Sequence, residues 1–169
     1  LDVYTCWHTQ ELPPLMQANF DKLIAENPEL KFHLYNEDEC RDFIRRYFKP
    51  DVLSAYDSLV PCSYKSDLWR YCVLFINGGI YMDIKYRCVN GFKFISLTEK
   101  EHFVRDRPEK AVYNALIVTF PKNEIIRGIT DYIGNKVENL KNDFKEIEQF
   151  CINDMVDTPS TIITFNWDT

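Results

Sequence analysis

Hydrophobic and polar positions switch between two periods along this chain, and the switches mark out its elements. Val3 to Trp7 is a short apolar run suited to a buried first strand. After Pro13-Pro14, Leu15, Met16, Phe20, Leu23 and Ile24 recur at helical spacing. Asn27-Pro28 ends that helix, because the residue before a proline is pushed out of the α region. Lys31 to Tyr35 reads as a second strand. Asn36, with Glu39 three residues on, predicts an N-cap with a reciprocal partner and a helix reaching about Phe48. Pro50 resets the chain ahead of a short helical piece over Val52 to Leu59.

Pro61 predicts the start of a longer helix, in which Leu68, Tyr71, Cys72, Phe75 and Ile76 form a core-facing stripe. Gly78-Gly79 stops it, since glycine takes the left-handed conformation without a Cβ penalty. Ile80 to Ile84 follows at once as an apolar strand with Asp83 near its far end. Further strands are predicted near Phe92–Ile95, His102–Val104 and Val112–Thr119. A long amphipathic helix should run through Ile125, Ile126, Ile129, Tyr132, Ile133 and Val137, and Thr161–Phe165 reads as one more strand. Alternating strands and helices predict an α/β layer architecture. With no internal repeat or low-complexity linker, residues 1–169 are expected to form a single domain.

Composition narrows the function classes. The chain is 46% hydrophobic and carries 12 Phe and 10 Tyr, enough for a core. Its net charge of −6 argues against nucleic acid as a partner, because phosphate binding needs a surplus of Lys and Arg on one face. The cluster Arg41, Arg45, Arg46 and Lys49 lies among acids and reads as a solvated helix face. No apolar stretch approaches the ~20 residues of a membrane span. Six cysteines include no CxxC pair, and no Asn-x-Ser/Thr sequon occurs. Both features favour buried, reduced thiols in a cytoplasmic setting.

Three features carry chemistry. Asp83 closes a buried strand, and open α/β sheets bind ligands outside the carboxyl ends of their strands. Asp67 and Arg70, three apart, share a helix face. The Gly-Gly turn packs that helix against that strand, which brings Asp67, Arg70 and Asp83 within reach of one pocket. A carboxylate can hold a divalent metal or accept hydrogen bonds from sugar and ribose hydroxyls, and arginine offers a fork of donors. Spacing alone is equally satisfied by an intrahelical ion pair at Asp67–Arg70 and a turn cap at Asp83, and Tyr64, Lys65 and Ser66 could be surface residues.

The run from Ser63 to Asp83 resembles the sugar-binding DxD region of glycosyltransferase family 32, whose pattern is roughly SDxxRYxxLxxxGGxYxDxD. Val3–Trp7 with Leu12-Pro13-Pro14 resembles the family's opening strand, and Tyr113-Asn114-Ala115 with Pro121 a later strand and turn. The resemblance implies a GT-A fold, with a Rossmann-like mixed sheet flanked by helices, and transfer of a hexose from a UDP- or GDP-sugar to a glycan, lipid or protein hydroxyl with retention. It implies that Asp67 and Arg70 contact the donor sugar and diphosphate, and that Asp83 contacts ribose or a manganese (or magnesium) ion. Trp7 would lie against the base, and Asn114 would line the sugar or acceptor side. The chain departs from the pattern at Lys85, which replaces the second Asp of DxD, so a cation stands where a metal-binding carboxylate is expected. Lys85 could substitute for the metal, turn away from an ion held by Asp83, or mark a non-catalytic nucleotide- or carbohydrate-binding pseudoenzyme on the same fold. Asp154, Asp157 and Asp168 are candidate acids near the C-terminus.

Overall fold

The computed structural model describes residues 1–60, 62–106, 111–135 and 161–163. A six-stranded mixed sheet forms from β1 (Asp2–Cys6), β2 (Lys31–Tyr35), β3 (Gly79–Met82), β4 (His102–Asp106), β5 (Ala111–Thr119) and β6 (Thr161–Ile163), in the order β2-β1-β3-β5-β4-β6. The β1 strand pairs in parallel with β2 and β3, β5 runs antiparallel to β3 and β4, and β6 is parallel to β4. The helices are α1 (Pro14–Glu26), α2 (Glu37–Tyr47), α3 (Pro50–Ser58), α4 (Cys62–Asn77) and α5 (Glu124–Asn135).

Strand alternation divides the core into two layers. Tyr4, Tyr81, Phe103 and Ile117 point to one face, where Phe43 and Ile44 of α2, Val52 and Tyr56 of α3, Leu68, Trp69 and Tyr71 to Leu74 of α4, and Ile125, Ile126 and Ile129 of α5 cover them. Val3, Ile80, Met82, Val104, Leu116 and Val118 point to the other, against Leu23 of α1 and Phe94 and Leu97. Burial of one large apolar side chain is worth about 1.5–3 kcal/mol, so both faces contribute to holding the sheet.

The connection from β1 to β2 therefore runs on one face, and the α2–α4 connection from β2 to β3 runs on the other. Their divergence opens a crevice at the carboxyl ends of β1 and β3, the topological position where such sheets bind ligands.

Most expected elements are in place to within about two residues. The second strand spans Lys31–Tyr35 as read, and Asn36 caps α2 through the full reciprocal pair with Glu39. Three expectations are corrected. Phe92–Ile95 is not a strand; Phe94–Leu97 is a 3-10 turn, fixed because Asn27 Oδ1 accepts the Phe94 N–H at 3.2 Å. In α4 burial covers every residue from Leu68 to Leu74 instead of one stripe, because the helix packs against α2, α3, α5 and the sheet together. Among the described residues the cysteines are not uniformly buried: Cys40 and Cys72 are, Cys6 and Cys88 are half-buried, and Cys62 is exposed, all with free thiols, while Cys151 lies outside the described residues. Pro61, Val137, residues 164–165 and the candidate acids Asp154, Asp157 and Asp168 lie outside the described residues. Among the described residues no helix is long and apolar enough to cross a membrane.

Candidate functional site

A cavity of about 480 Å³ fills the crevice, and six of its lining residues are those singled out in the sequence: Trp7, Asp67, Arg70, Asp83, Lys85 and Asn114. Two glycines bring them together. The Gly78 N–H closes the last turn of α4 on Leu74 O at 2.7 Å, and Gly78 and Gly79 have φ of 64° and 96°. A Cβ on Gly79 would stand 2.6 Å from the Asp2 carbonyl oxygen, and one on Gly78 would stand 2.6 Å from Pro121. Only glycine lets β3 approach β1 this closely at such φ values. The register pairs Tyr4 with Tyr81, and two residues further along each strand lie Cys6 and Asp83, both in the cavity wall.

Arg70 is the hub of the inner end. Its side chain is only 4% exposed, yet each of its five N–H donors has a protein acceptor within reach. Nε reaches Ser66 O at 3.2 Å, Nη1 reaches Asn114 O and Oδ1 at 2.7 and 2.9 Å, and Nη2 reaches Asp67 Oδ1 at 2.6 Å and Ser66 Oγ at 3.4 Å. The guanidinium also lies over the Tyr81 ring, 4.5 Å from its centroid, and 3.6 Å from Asp83 Oδ1. Asp83 Oδ1 accepts the Tyr81 hydroxyl at 2.9 Å, and Asp67 Oδ1 accepts Asn114 Nδ2 at 3.3 Å. Burial works against the cation, but Tyr81, Asp67 and Asp83 outweigh it and push the Arg70 pKa further up, so it stays charged. Removing one partner of a buried pair of this kind costs about 3–5 kcal/mol, because the other charge is left unpaired.

The arrangement aims two carboxylates into the cavity. Each uses Oδ1 within the protein, and Oδ2 of Asp67 and of Asp83 has no hydrogen-bond partner among the described residues. Burial raises the Asp67 pKa above its ordinary value, against the downward pull of Arg70. Asp83 is the more open of the two, at 41% side-chain exposure. Beyond it Lys85 is exposed on the cavity rim and makes no hydrogen bond or ion pair with another described residue.

The outer end is built differently. Trp7 is half-buried, its backbone N–H donates to Tyr35 O at 3.0 Å, and its ring centroid sits 4.4 Å from that of His8. Beyond it Lys65, from the first turns of α4, is paired with Glu37 Oε1 from the first turn of α2. Cys62 Sγ donates to Glu37 Oε2 at 3.7 Å, and the Lys65 ammonium lies 5.5 Å from the Tyr56 ring centroid. The hydrogen bond from Lys65 holds the Glu37 carboxyl below its usual value.

Sequence reasoning missed Tyr81, Glu37 and the role of Lys65. Tyr81 was legible: it stands two residues before Asp83 and so shares its face of a strand. The Glu37–Lys65 pair joins residues 28 apart on two different helices, and no local spacing announces it.

A divalent ion would find limited help from the chain alone. Among the described residues no group of three or more His, Cys, Asp or Glu side chains could hold a metal. Asp83 offers one open carboxylate oxygen, and Lys85 occupies the place of the second. That set fits an ion held mainly by a ligand's own phosphates, as magnesium and manganese sites with one protein carboxylate often are.

Comparison with known proteins agrees with this geometry. Residues 13–104 match the family described as the glycosyltransferase sugar-binding region containing a DXD motif. Over 144 residues the chain is 24% identical to a glycosyltransferase of Acanthamoeba polyphaga mimivirus, covering 76% of this chain and 57% of the viral protein. Over 86 residues it is 29% identical to inositol phosphoceramide mannosyltransferase 3 of Schizosaccharomyces pombe, covering 51% of this chain and 24% of the yeast protein. The chain thus spans little more than half of the first relative and about a quarter of the second. Among solved structures, the PaToxG glycosyltransferase superposes with a TM-score of 0.68 at 20% identity, over 92% of this chain and 67% of that one. The fold is thereby an α/β GT-A-like fold, as the resemblance implied.

Proposed function

Because the chain belongs to the family of glycosyltransferases whose sugar-binding region contains a DXD motif, we propose that its cavity binds a nucleotide-activated hexose and transfers the sugar, with retention, to a hydroxyl of a glycan, lipid or protein. The observation that carries this reading is the pair of carboxylates, Asp67 and Asp83, turned into one cavity by the buried Arg70. Hydroxyl-rich ligands suit such a site, since each free carboxylate oxygen accepts from a sugar or ribose O–H. Trp7 supplies an aromatic face for a base. Asn114 and Arg70 act by holding Asp67 in place: every Arg70 donor has a protein acceptor within reach, and Asn114 Nδ2 donates to Asp67 Oδ1.

Departure of the nucleoside diphosphate concentrates negative charge on its phosphates, and a fixed cation beside them lowers the barrier. In this reading Lys85, an exposed residue of the cavity lining with no hydrogen bond or ion pair to another described residue, supplies that charge. A manganese or magnesium ion arriving with the donor would be held by Asp83 and the diphosphate, and would supply the same neutralisation. No described residue is positioned as a nucleophile with an activating base, so the chain's contribution is orientation and charge stabilisation. The non-catalytic alternative on this fold would bind donor without turnover.

Calorimetric titration of a nucleotide sugar, with manganese and with a chelator, tests the role of Lys85. Binding should survive chelation and weaken roughly 10- to 100-fold in Lys85→Ala, the scale of one charge-assisted contact. Binding abolished by the chelator and unchanged by Lys85→Ala would assign the charge to the metal instead.

A further inference from the structure

The outer end of the cavity carries a feature that generic donor binding does not require. Glu37 and Lys65 form an acid–base pair whose members come from two helices, both lining the same cavity wall as Trp7. Their side chains are 36% and 20% exposed, so the pair is partly withdrawn from water without being sealed off from a ligand. The pair is also held in place: Cys62 donates to Glu37 Oε2, the Tyr56 hydroxyl donates to the Glu37 carbonyl oxygen at 3.3 Å, and Lys65 lies near the Tyr56 ring. A carboxylate and an ammonium fixed side by side present two acceptors next to a donor.

Bases differ in what they offer to such an array. The Watson–Crick edge of guanine carries two adjacent N–H donors, N1–H and N2–H, beside the O6 acceptor. Uracil offers a single N–H between two carbonyl oxygens, and a carboxylate set against that edge meets at least one oxygen. Adenine and cytosine each place a bare ring nitrogen next to their amino group. Only guanine matches a carboxylate with both of its oxygens engaged and an ammonium alongside. The position fits as well: Glu37 and Lys65 line the same cavity as Trp7, Asp67 and Asp83, so a donor with its hydroxyls at the two aspartates and its base on Trp7 shares that cavity with the pair.

We infer that Glu37 and Lys65 read the base of the donor and select guanine, with the Glu37 carboxylate accepting N1–H and N2–H and the Lys65 ammonium donating to O6; this rests on the cavity being a nucleotide-sugar site. Glu37 stays where Lys65 and Cys62 hold it, and each of its carboxylate oxygens, with a lone pair to spare, accepts from the base in addition. The selectivity belongs to the pair, because Glu37 alone would be an unneutralised charge against O6.

Titration of the wild-type chain and of Glu37→Gln with GDP, inosine diphosphate and UDP tests the assignment. GDP should bind about 10- to 100-fold more tightly than UDP, the scale of a bidentate base contact, and inosine diphosphate should fall between them because it lacks the 2-amino group. Glu37→Gln should weaken GDP and leave UDP unchanged, which also reports that the variant is folded. Preference for UDP, a GDP preference that survives Glu37→Gln, or equal loss of GDP and UDP in the variant would overturn the guanine assignment while leaving the donor site standing. Failure of all three nucleotides to bind the wild-type chain would instead remove the donor-site reading itself, and this inference with it.

Discussion

Asp67 sits where two opposing effects act on one carboxyl group, and burial wins. Its pKa is raised although Arg70 is 2.6 Å away, because the surroundings withhold solvation from the charge and the Asp83 carboxylate repels it. A carboxyl with a raised pKa accepts a proton earlier on acidification than an ordinary aspartate. Folding is then favoured as pH falls through the interval between the raised value and the unfolded one, whereas a ligand that needs the carboxylate as acceptor is lost over the same interval. Affinity for a nucleotide sugar, whose diphosphate does not titrate there, should therefore begin to fall above the usual aspartate range. Asp67→Asn should bind more weakly at neutral pH and show no such fall. Calorimetry across pH 4 to 7, approximately the interval around the reference carboxylate values, checks both. An unchanged profile in Asp67→Asn would move the acceptor role to another group.

At the scale of elements, the most consequential packing is that of α4 on β3 through Gly78-Gly79. Replacing Gly79 by alanine puts a methyl group 2.6 Å from a backbone oxygen of the neighbouring strand, at a φ that L residues rarely adopt. A backbone oxygen cannot swing aside as a side chain would. Gly79→Ala should thus lose about 1–3 kcal/mol of stability in chemical denaturation, and should weaken donor binding by displacing Asp83. Wild-type stability in this variant would show that β1 and β3 can separate without cost. Much of this level was legible in the sequence, because capping, proline breaks and glycine stops are local: Asn36 with Glu39, Asn27-Pro28 and Gly78-Gly79 each acted as read. What escaped is non-local. Phe92 to Ile95 has the aromatic and β-branched content of a strand, but the side chain of Asn27, 67 residues before Phe94, captures its N–H and turns the segment. The stripe predicted for α4 became a fully buried span for the same kind of reason, since three other helices close around it.

At the scale of the molecule, two connections leaving the sheet on opposite faces create the crevice, and residues from β1, α2, α4, the end of β3 and β5 converge on it. The inner end of the site was readable as a motif because Asp67, Arg70 and Asp83 lie within one helix–turn–strand unit. The outer end was not, because Glu37 meets Lys65 only once α2 and α4 pack together. The activity proposed for this crevice is activation of a nucleotide sugar. Its most direct test is release of nucleoside diphosphate from a panel of GDP- and UDP-hexoses with water as acceptor, with the anomer of the freed sugar read by NMR, in the wild-type chain and in Asp83→Asn. One donor should be cleaved above the uncatalysed rate with its anomeric configuration retained in the first product, and Asp83→Asn should slow it by about 100-fold or more, the effect of misplacing a held reactant. No cleavage of any donor, or cleavage that Asp83→Asn leaves intact, would contradict it.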